Sequence, residues 1–306
     1  MKEIIVGSRG SKLALTQTEL VVEKLKEIKK NCSFVIKTIK TEGDKLLNSP
    51  LSKIGGKGLF VKEIEEELIE RKIDIAVHSM KDIPCQFPPE LIISSVPSRK
   101  NPKDALISKN NKKLQELSPW ATIGTSSLRR KAQLLIFRKD LKVIDLRGNL
   151  DTRFKKFQEE NFEAIIVAAS GLIRLNLSEK ITQELPLKDF LPAAGQGALG
   201  IEIRKDNFEV KELVEKINCY NSYQEVVAER AFLKKLGGGC QVPIGVIAQA
   251  EDRELYLEGM VSSLDGKEVV RGKISGRIIE AETLGEKLAY TLLKKGAKEI
   301  LLKALT

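Results

Sequence analysis

Segments typical of strands and helices alternate twice along this chain, and this alternation limits the possible folds more than any other feature. An apolar run at residues 4–6 ends in Gly7-Ser8-Arg9, and helical spacing follows it. The same order recurs where Thr122-Ile123 runs into Gly124-Thr125-Ser126, ahead of a helix predicted over residues 128–138. Strands that alternate with helices form right-handed βαβ units around parallel sheets. The sequence therefore predicts two similar α/β domains.

The other predicted elements extend this pattern and add a third domain. Further strands are predicted at residues 34–39, 73–77, 91–96, 143–146, 164–168 and 199–203, and further helices at 60–70, 150–160, 222–236 and 281–295. From residue 246 onward strand patterns dominate until the last helix. We therefore expect one α/β domain at residues 1–97 and 198–217, a second at 103–192, and a small α+β domain at 220–306.

Composition narrows the classes of partner. The 306 residues carry a net charge of +10, which favours anionic partners, but aromatic residues make up only 5% and the charges are dispersed, so nucleic acid is not expected. No apolar stretch is long enough to span a membrane, and residues 1–7 form a short strand and turn rather than a signal peptide. The four cysteines are scattered without metal-site spacing. We expect a cytoplasmic protein with free thiols and no metal.

Cationic and hydroxyl side chains recur just after the predicted strands. Ligands of open α/β sheets bind beyond the carboxyl ends of the strands, and guanidinium groups suit carboxylates and phosphates there. A solvated surface charge is the simpler explanation for any single arginine, but it is weaker for a set that recurs at one sheet edge. The residues concerned are Arg9, Ser11, Lys81, Ser127, Arg129, Arg130, Arg147, Arg153 and Arg174.

A single carboxylate, Asp82, stands among these cations. It could hold or transfer a proton, or stabilise positive charge that develops on a substrate. The alternative is structural, because an aspartate two residues before Pro84 also suits a turn or the start of a helix.

The segment Gly237-Gly238-Gly239-Cys240, with Pro243 close behind, predicts a tight exposed loop after a helix that ends near Leu236. A packed core cysteine would instead stand within an apolar periodic run. The competing interpretation is a glycine cap and turn that only happens to contain a small residue.

Two glycine-rich segments resemble nucleotide-binding motifs without their context. Residues 195–200 match G-x-G-x-x-G, but they follow Pro192 rather than a strand and lead into a strand rather than a helix. Residues 55–58 have neither the spacing nor the hydroxyl residue of a P-loop. A mobile loop bearing Lys53 and Lys57 fits the second segment better.

Several motifs occur together and in order along nearly the whole chain. They are Gly7-Ser8-Arg9, His78-Ser79-Met80-Lys81-Asp82, Gly124-Thr125-Ser126-Ser127-Leu128-Arg129-Arg130, Leu146-Arg147-Gly148-Asn149, Gly195-Gln196-Gly197-Ala198-Leu199, Glu229-Arg230-Ala231-Phe232-Leu233 and Gly238-Gly239-Cys240. With these motifs the chain resembles the porphobilinogen deaminases, also called hydroxymethylbilane synthases. The resemblance implies a monomer whose first two domains are doubly wound and similar to the lobes of periplasmic binding proteins.

The resemblance also implies a chemistry. Such an enzyme condenses four molecules of porphobilinogen head to tail on a dipyrromethane cofactor, which a thioether bond would attach to Cys240, and water releases hydroxymethylbilane. Membranes and nucleic acids have no part in it. The implied roles are catalysis for Asp82; cofactor binding for Cys240, Lys81, Ser127, Arg129, Arg130 and Asp44; substrate binding for Arg9, Ser11, Arg147, Arg153, Arg174 and Gln196; and a loop over the cleft for Lys53, Lys57 and Phe60.

The residues alone also suggest two other functions. A two-lobed module that only binds a small acid would leave Asp82 and the cysteine loop without a role. A cysteine hydrolase would need Cys240 to pair with His78, the only histidine, but the two residues belong to different predicted domains and no third group is evident. The hydrolase is the weakest of the three alternatives.

Overall fold

The computed structural model describes residues 2–45, 58, 60–86, 88–238 and 242–305. Their strands are β1 (Lys2–Arg9), β2 (Cys32–Ile39), β3 (Ile75–Ser79), β4 (Leu91–Ser95), β5 (Asp104–Ser108), β6 (Thr122–Gly124), β7 (Lys142–Ile144), β8 (Ala164–Ala168), β9 (Gln183–Glu184), β10 (Leu199–Arg204), β11 (Ile244–Glu251), β12 (Glu254–Ser262) and β13 (Val269–Arg277). Their α-helices are α1 (Lys12–Ile28), α2 (Glu42–Lys45), α3 (Lys62–Ile69), α4 (Leu128–Phe137), α5 (Leu150–Glu159), α6 (Ala169–Arg174), α7 (Phe208–Glu215), α8 (Tyr220–Lys235), α9 (Ala281–Leu292) and α10 (Lys298–Leu305).

The described residues fall into two units by their packing. Unit 1 takes those within 1–47, 55–100 and 198–223, and unit 2 takes those within 101–197 and 224–306. No helix in the described part of the chain combines the length and the apolar character that a membrane span requires.

Unit 1 is built on a five-stranded sheet of order β2-β1-β3-β10-β4. Strands β1, β2 and β3 are parallel, whereas β10 runs antiparallel to both β3 and β4. Apolar residues of α1 and α7, such as Leu25 and Leu213, cover one face of this sheet, and Ile64 and Leu68 of α3 cover the other. The carboxyl ends of β1 and β3 therefore open at one edge of a sheet that is buried on both faces.

Unit 2 contains a second five-stranded sheet, of order β7-β6-β8-β5-β9. Strands β6, β7 and β8 are parallel and β5 is antiparallel, so order and directions repeat those of unit 1. Leu134 of α4 packs on one face, and Phe157 of α5 with Leu172 of α6 on the other. This repetition confirms the prediction of two similar doubly wound α/β sheets.

Unit 2 also contains the three-stranded antiparallel sheet β11-β12-β13. Helices α8 and α9 bury Phe232, Leu284 and Leu288 against it. The Phe232 ring lies so close to Gly259 of β12 that an added Cβ would meet a ring carbon at 2.5 Å, which explains why glycine stands there. The small α+β part that the sequence predicted is therefore present, while the boundaries of three separate domains remain a prediction.

Some predicted elements differ from the structure. Strand β5 is not among the predicted strands, because it begins with the charged Asp104 just after the proline-containing segment 97–102, which is typical of a linker. The last helix was predicted to run through residue 295, but α9 ends at Leu292 and a π-helical turn follows. Gly296 in this turn has a φ of 103°, a left-handed conformation that regular helix cannot include, and α10 then begins as a separate helix.

Candidate active site

In unit 1, Arg9 ends β1 and is held by its neighbours. Its guanidinium donates to both carboxylate oxygens of Asp44, and it stacks over the Phe60 ring with 4.3 Å from Cζ to the ring centroid. The hydroxyl of Thr41 donates to Asp44 at 2.9 Å. Burial by itself would raise the pKa of Asp44, but the hydrogen bond and charge of Arg9, helped by Thr41, outweigh it, so that the pKa is lowered. Arg9, Asp44 and Phe60, three predicted site residues, thus lie together.

Ser11, another predicted site residue, caps α1. Its Oγ accepts from the Ala14 amide at 3.2 Å.

Lys81 and Asp82 lie on the single 3₁₀ turn Met80–Asp82 that follows β3. The Met80 amide donates to the Ala198 carbonyl oxygen at 3.1 Å, and the Met80 side chain is buried. Gly200 of β10 lies behind this turn, where an added Cβ would be 2.2 Å from Met80 Sδ. Asp82 is exposed and Lys81 is half-buried. The turn therefore presents an accessible carboxylate on a tightly packed base.

A cavity of about 60 Å³ in unit 1 brings several of these groups together. Its lining includes Arg9, Ser11, Phe60 and Asp82, all of them predicted site residues. His78 also lines it, but its Nε2 lies 3.0 Å from Glu202 Oε2, so the imidazole already has a buried carboxylate partner. That pairing gives no support to a hydrolase in which His78 would activate Cys240.

In unit 2, Arg129 and Arg130 stand on the first turn of α4, and the structure differs here from the open sheet edge expected from the sequence. Both are buried, and both donate to the carboxylate of Asp104, the first residue of β5, with closest contacts of 2.7 Å each. Gln196 donates to the same carboxylate at 2.9 Å. Burial alone would raise the pKa of Asp104, but the two guanidinium groups hold it far below its usual range. Ser127 caps α4, with Oγ 3.4 Å from the Arg130 amide.

Arg174, the last residue of α6, is the exception among the buried cations of unit 2. Its side chain donates to the Gly197 carbonyl oxygen at 2.7 Å, and no carboxylate in the described part of the chain forms an ion pair with it. Burial lowers its pKa to about 10, so the guanidinium still carries its charge at neutral pH. A buried cation without a counter-charge is expensive, and an anionic ligand would offset that cost.

Arg147 and Arg153 flank the glycine turn between β7 and α5. Arg147 lies 3.7 Å from Asp145, and Arg153 Nε donates to the Gly148 carbonyl oxygen at 2.9 Å. Asn149 caps α5 by accepting from the Thr152 amide. Both arginines are partly exposed, at the same sheet edge as the first turn of α4.

Three predicted site residues, Cys240, Lys53 and Lys57, lie outside the described residues. Before Cys240, α8 ends at Lys235, and Gly237 has a φ of 65° while the Gly238 amide donates to the Leu233 carbonyl oxygen at 3.0 Å. This is a glycine helix cap, which both interpretations of the segment expect, so the role of Cys240 stays a prediction. The described residues contain no cluster of histidine, cysteine and carboxylate groups that could hold a metal ion.

Sequence reasoning missed the buried acids that organise both sites. Asp104 begins the otherwise uncharged strand β5, Glu202 lies inside the fully buried strand β10, and Glu65 lies on the buried face of α3 with Ile64 and Leu68. A charged residue in a strand that must be buried on both faces is itself a signal, because it requires a partner. Gln17 was also missed by the sequence reasoning, and its Oε1 accepts from the Ser79 hydroxyl at 3.1 Å.

Comparisons with known proteins bear on what these sites do. A family model described as "Porphobilinogen deaminase, dipyromethane cofactor binding domain" matches residues 4–212, and one for the C-terminal domain of the same family matches residues 223–294. The porphobilinogen deaminase of Alkaliphilus metalliredigens is 49% identical over 98% of this chain and 95% of its own length. That of Pelotomaculum thermopropionicum is 50% identical over 99% and 97%.

Solved structures give weaker matches. A TRAP periplasmic solute binding protein from Desulfovibrio salexigens, 10% identical, overlaps 71% of this chain and 72% of its own with a TM-score of 0.44. A YaeC-family lipoprotein from Enterococcus faecalis, 14% identical, overlaps 71% and 91% with a TM-score of 0.41. The sequence matches are far stronger: two family models together span most of the chain, and relatives at about half identity cover nearly all of it. The chain therefore belongs to the porphobilinogen deaminase family, a family of transferases, and it has that family's dipyrromethane-cofactor-binding domain.

Proposed function

We propose that this protein is a hydroxymethylbilane synthase that joins four porphobilinogen molecules head to tail. Each condensation forms one carbon–carbon bond and releases one ammonia, and a final water gives the linear tetrapyrrole hydroxymethylbilane. Family membership over nearly the full chain supports this function. We also propose that the protein acts as a monomer in the cytoplasm on this small-molecule substrate.

The buried Arg174 is the observation in the structure that best supports an anionic ligand. Every pyrrole unit of such a substrate carries two carboxylates, so the growing product is polyanionic. Arg174 is buried without a carboxylate partner among the described residues, and its pKa, although lowered to about 10, leaves it charged. A carboxylate of the ligand would supply the missing counter-charge. Arg147 and Arg153 add two partly exposed guanidinium groups in the same unit.

The chain's residues also fit a dipyrromethane cofactor. When bound, this group supplies the nucleophilic pyrrole carbon to which the first substrate is joined. Cys240 would hold it through a thioether, while Lys81, Asp44, Ser127, Arg129 and Arg130 would bind its polar groups. Arg129 and Arg130 carry two positive charges and Asp104 one negative charge, so the cluster has a net charge that is compatible with a further anion. The Ser127 cap keeps the first turn of α4 in place beside it.

Asp82 is assigned the catalytic role. Loss of ammonia from porphobilinogen leaves an electron-poor carbon, and a fixed carboxylate stabilises the positive charge that develops. Asp82 is exposed on the turn after β3 and lines the cavity of unit 1, where Arg9 and Ser11 would bind substrate carboxylates. Stacking of Arg9 on Phe60 and its bond to Asp44 restrict the rotamers of its guanidinium before any ligand arrives.

Intact mass and turnover of purified variants test this function. We expect the wild-type mass to include two linked pyrrole units, Cys240→Ser to lack them, and Asp82→Asn to retain them. Asp82→Asn should lose on the order of 100- to 10,000-fold in turnover. The matched control is Asp252→Asn, which makes the same change at an exposed turn position with a φ of 54° and should retain full activity. An unmodified wild-type mass that persists after incubation with porphobilinogen would contradict the proposal.

A further inference from the structure

Unit 1 encloses a cluster of three titratable side chains beneath the turn that carries Asp82. His78 of β3 and Glu202 of β10 form the pair at 3.0 Å, and their side chains are only 3% and 1% exposed. Glu65 of α3 is buried beside them. The proposed function uses none of the three, and clusters of this kind are costly to bury without a purpose or a compensating partner.

Burial and mutual repulsion disfavour a second negative charge in this cluster. Burial, followed by the negative charge of Glu202, raises the pKa of Glu65 to about 7, and the opposing effect of His78 is smaller. One carboxylate oxygen of Glu65 and one of Glu202 are fully buried and have no hydrogen-bond partner among the described residues. The His78 imidazole is therefore hydrogen-bonded to Glu202, and near neutral pH the Glu65 carboxyl exchanges between its neutral and ionised forms.

The cluster is mechanically linked to the turn of Asp82. His78 comes two residues before Met80, at which the turn begins, and it lines the same cavity as Asp82. Across the sheet it pairs in register with Gly200, the residue against which Met80 packs. Strand β10 and the residue before it thus hold the turn, because Gly200 and the Ala198 carbonyl oxygen contact Met80 and Glu202 bonds to His78.

We propose that His78 and Glu202 are positioning residues that hold the Lys81–Asp82 turn, and that ionisation of Glu65 loosens this hold as the pH rises. This inference rests on the proposed function of Asp82. When Glu65 ionises, a second negative charge appears beside Glu202 in a buried space, and the carboxylates repel each other. The repulsion moves β10 relative to β3 and displaces the turn from its catalytic position.

The other charged groups around the cluster are engaged elsewhere or are themselves acidic. Arg204 is buried two residues after Glu202 on β10, but its guanidinium donates to two backbone carbonyl oxygens and lies 3.7 Å from Asp74. Glu66 of α3 adds a small effect of the same sign as Glu202. From the cavity side, Arg9 is engaged by Asp44, and Asp82 is itself an acid. Besides burial, the charges of Glu202 and His78 therefore have the largest influence on the pH at which Glu65 ionises.

The pH profile of kcat tests the proposal in the cofactor-loaded enzyme. In the wild type we expect kcat to fall above about pH 7, the range in which Glu65 ionises. Glu65→Gln should move that fall upward by at least one pH unit or abolish it. Glu66→Gln is the matched control, because it removes the same charge from an exposed position on the same helix, and it should leave the fall almost unchanged. A Glu65→Gln profile identical to that of the wild type would overturn the proposal.

Glu202→Gln tests the positioning role separately. It should lower kcat at least about tenfold while KM changes less than about threefold, with the dipyrromethane mass intact. Glu202→Ala, which also removes the hydrogen bond to His78, should lower kcat further. Equal losses in kcat and in cofactor loading would show a merely structural role. Where these variants do not fold, Glu65→Gln, which preserves shape, decides the outcome.

A spectroscopic measurement does not depend on activity. The chain has one histidine, so protein labelled with ¹⁵N-histidine gives one set of ring signals, all from His78. We expect these signals to show a step at the midpoint of the fall in kcat, retained in Glu66→Gln and shifted or lost in Glu65→Gln. Its absence from the wild type would refute the coupling. A wild-type protein without dipyrromethane would instead refute the proposed function. In that case the His78 ring signals would still show whether ionisation of Glu65 affects His78.

Discussion

The two five-stranded sheets have the same strand order but bind their buried carboxylates in different ways. In unit 1 the antiparallel strand β10 brings Glu202 to an imidazole, that of His78. In unit 2 the antiparallel strand β5 brings Asp104 to two guanidinium groups, those of Arg129 and Arg130. An imidazole can lose its charge near neutral pH, whereas a guanidinium cannot.

The difference indicates how one scaffold serves two tasks. Unit 2 keeps a constant positive charge, which suits a site for polyanionic pyrroles. Unit 1 places groups whose charge can change beside the turn of Asp82, which suits chemistry in which charge develops and disappears. In each sheet the antiparallel strand carries a buried acid. In unit 2 that acid faces guanidinium groups that keep their charge, whereas in unit 1 a second carboxyl, Glu65, lies beside it and changes its charge with pH.

Asp104→Asn should produce the largest effect and would test whether the charge of unit 2 is truly fixed. The variant leaves two buried guanidinium groups without a carboxylate, so we expect a loss of about 3–5 kcal/mol in the free energy of unfolding. The loss should be nearly constant between pH 6 and pH 8. Urea denaturation measures it, with the slope checked for a change in cooperativity.

Asp140→Asn is the control, because it breaks a more exposed ion pair with Arg138 and should lower the free energy of unfolding far less than Asp104→Asn does. Equal losses in the two variants would show that the Asp104 cluster is no more than a surface ion pair. A loss that varied strongly with pH would remove the contrast between the two units.

Arg174→Gln should have an intermediate effect, on ligand binding rather than on folding. Because the buried guanidinium has no carboxylate partner in the described residues, its removal should not destabilise unit 2. We expect a loss of about 10- to 100-fold in kcat/KM for porphobilinogen. Arg253→Gln, at an exposed position, should change nothing. A marked loss of stability without a loss in kcat/KM would show that Arg174 is structural.

Glu65→Gln should have the smallest effect, and its sign follows from the raised pKa. A carboxyl whose pKa is raised from 4.5 to about 7 on folding stabilises the folded state less and less as the pH rises through that range. Between pH 4.5 and pH 7 the free energy of unfolding of the variant should therefore rise relative to that of the wild type. The total rise should be roughly 2 kcal/mol after allowance for solvent screening.

Thermal or urea unfolding at several pH values gives this difference, and its slope with pH is the quantity that matters. A difference between the two proteins that does not vary with pH, or that runs in the opposite direction, would contradict the assignment. It would also make unit 1 as insensitive to pH as unit 2.

Much of this architecture could be predicted from local signals. Ser11, Ser127 and Asn149 all cap the helices that the sequence placed after strand ends. Strand β5 was not predicted because a polar segment with prolines precedes it and its first residue, Asp104, is charged; its place in the sheet depends on pairing with β8. The short strand β9 pairs with β5 in turn and has no local signal of its own.

The site could be predicted only as a set of residue types. Sequence order placed Arg9 and Asp82 after strands, and the structure finds both at one cavity. It could not reveal that Asp104 neutralises part of the charge of Arg129 and Arg130, because those partners are separated along the chain and meet only through sheet pairing. The state of Arg174 likewise depends on what surrounds it in space, which no periodicity reports.

The position of β10 has a consequence for synthesis of the chain. This strand lies between β3 and β4, yet it is encoded after every strand of the second five-stranded sheet. Among the described strands β4 pairs with β10 alone, so until residue 204 leaves the ribosome β4 lacks this neighbour and β3 exposes one edge. Unpaired edges invite association with other chains. The ribosome thus releases the second sheet complete before the first can close, and His78 remains without Glu202 throughout that interval.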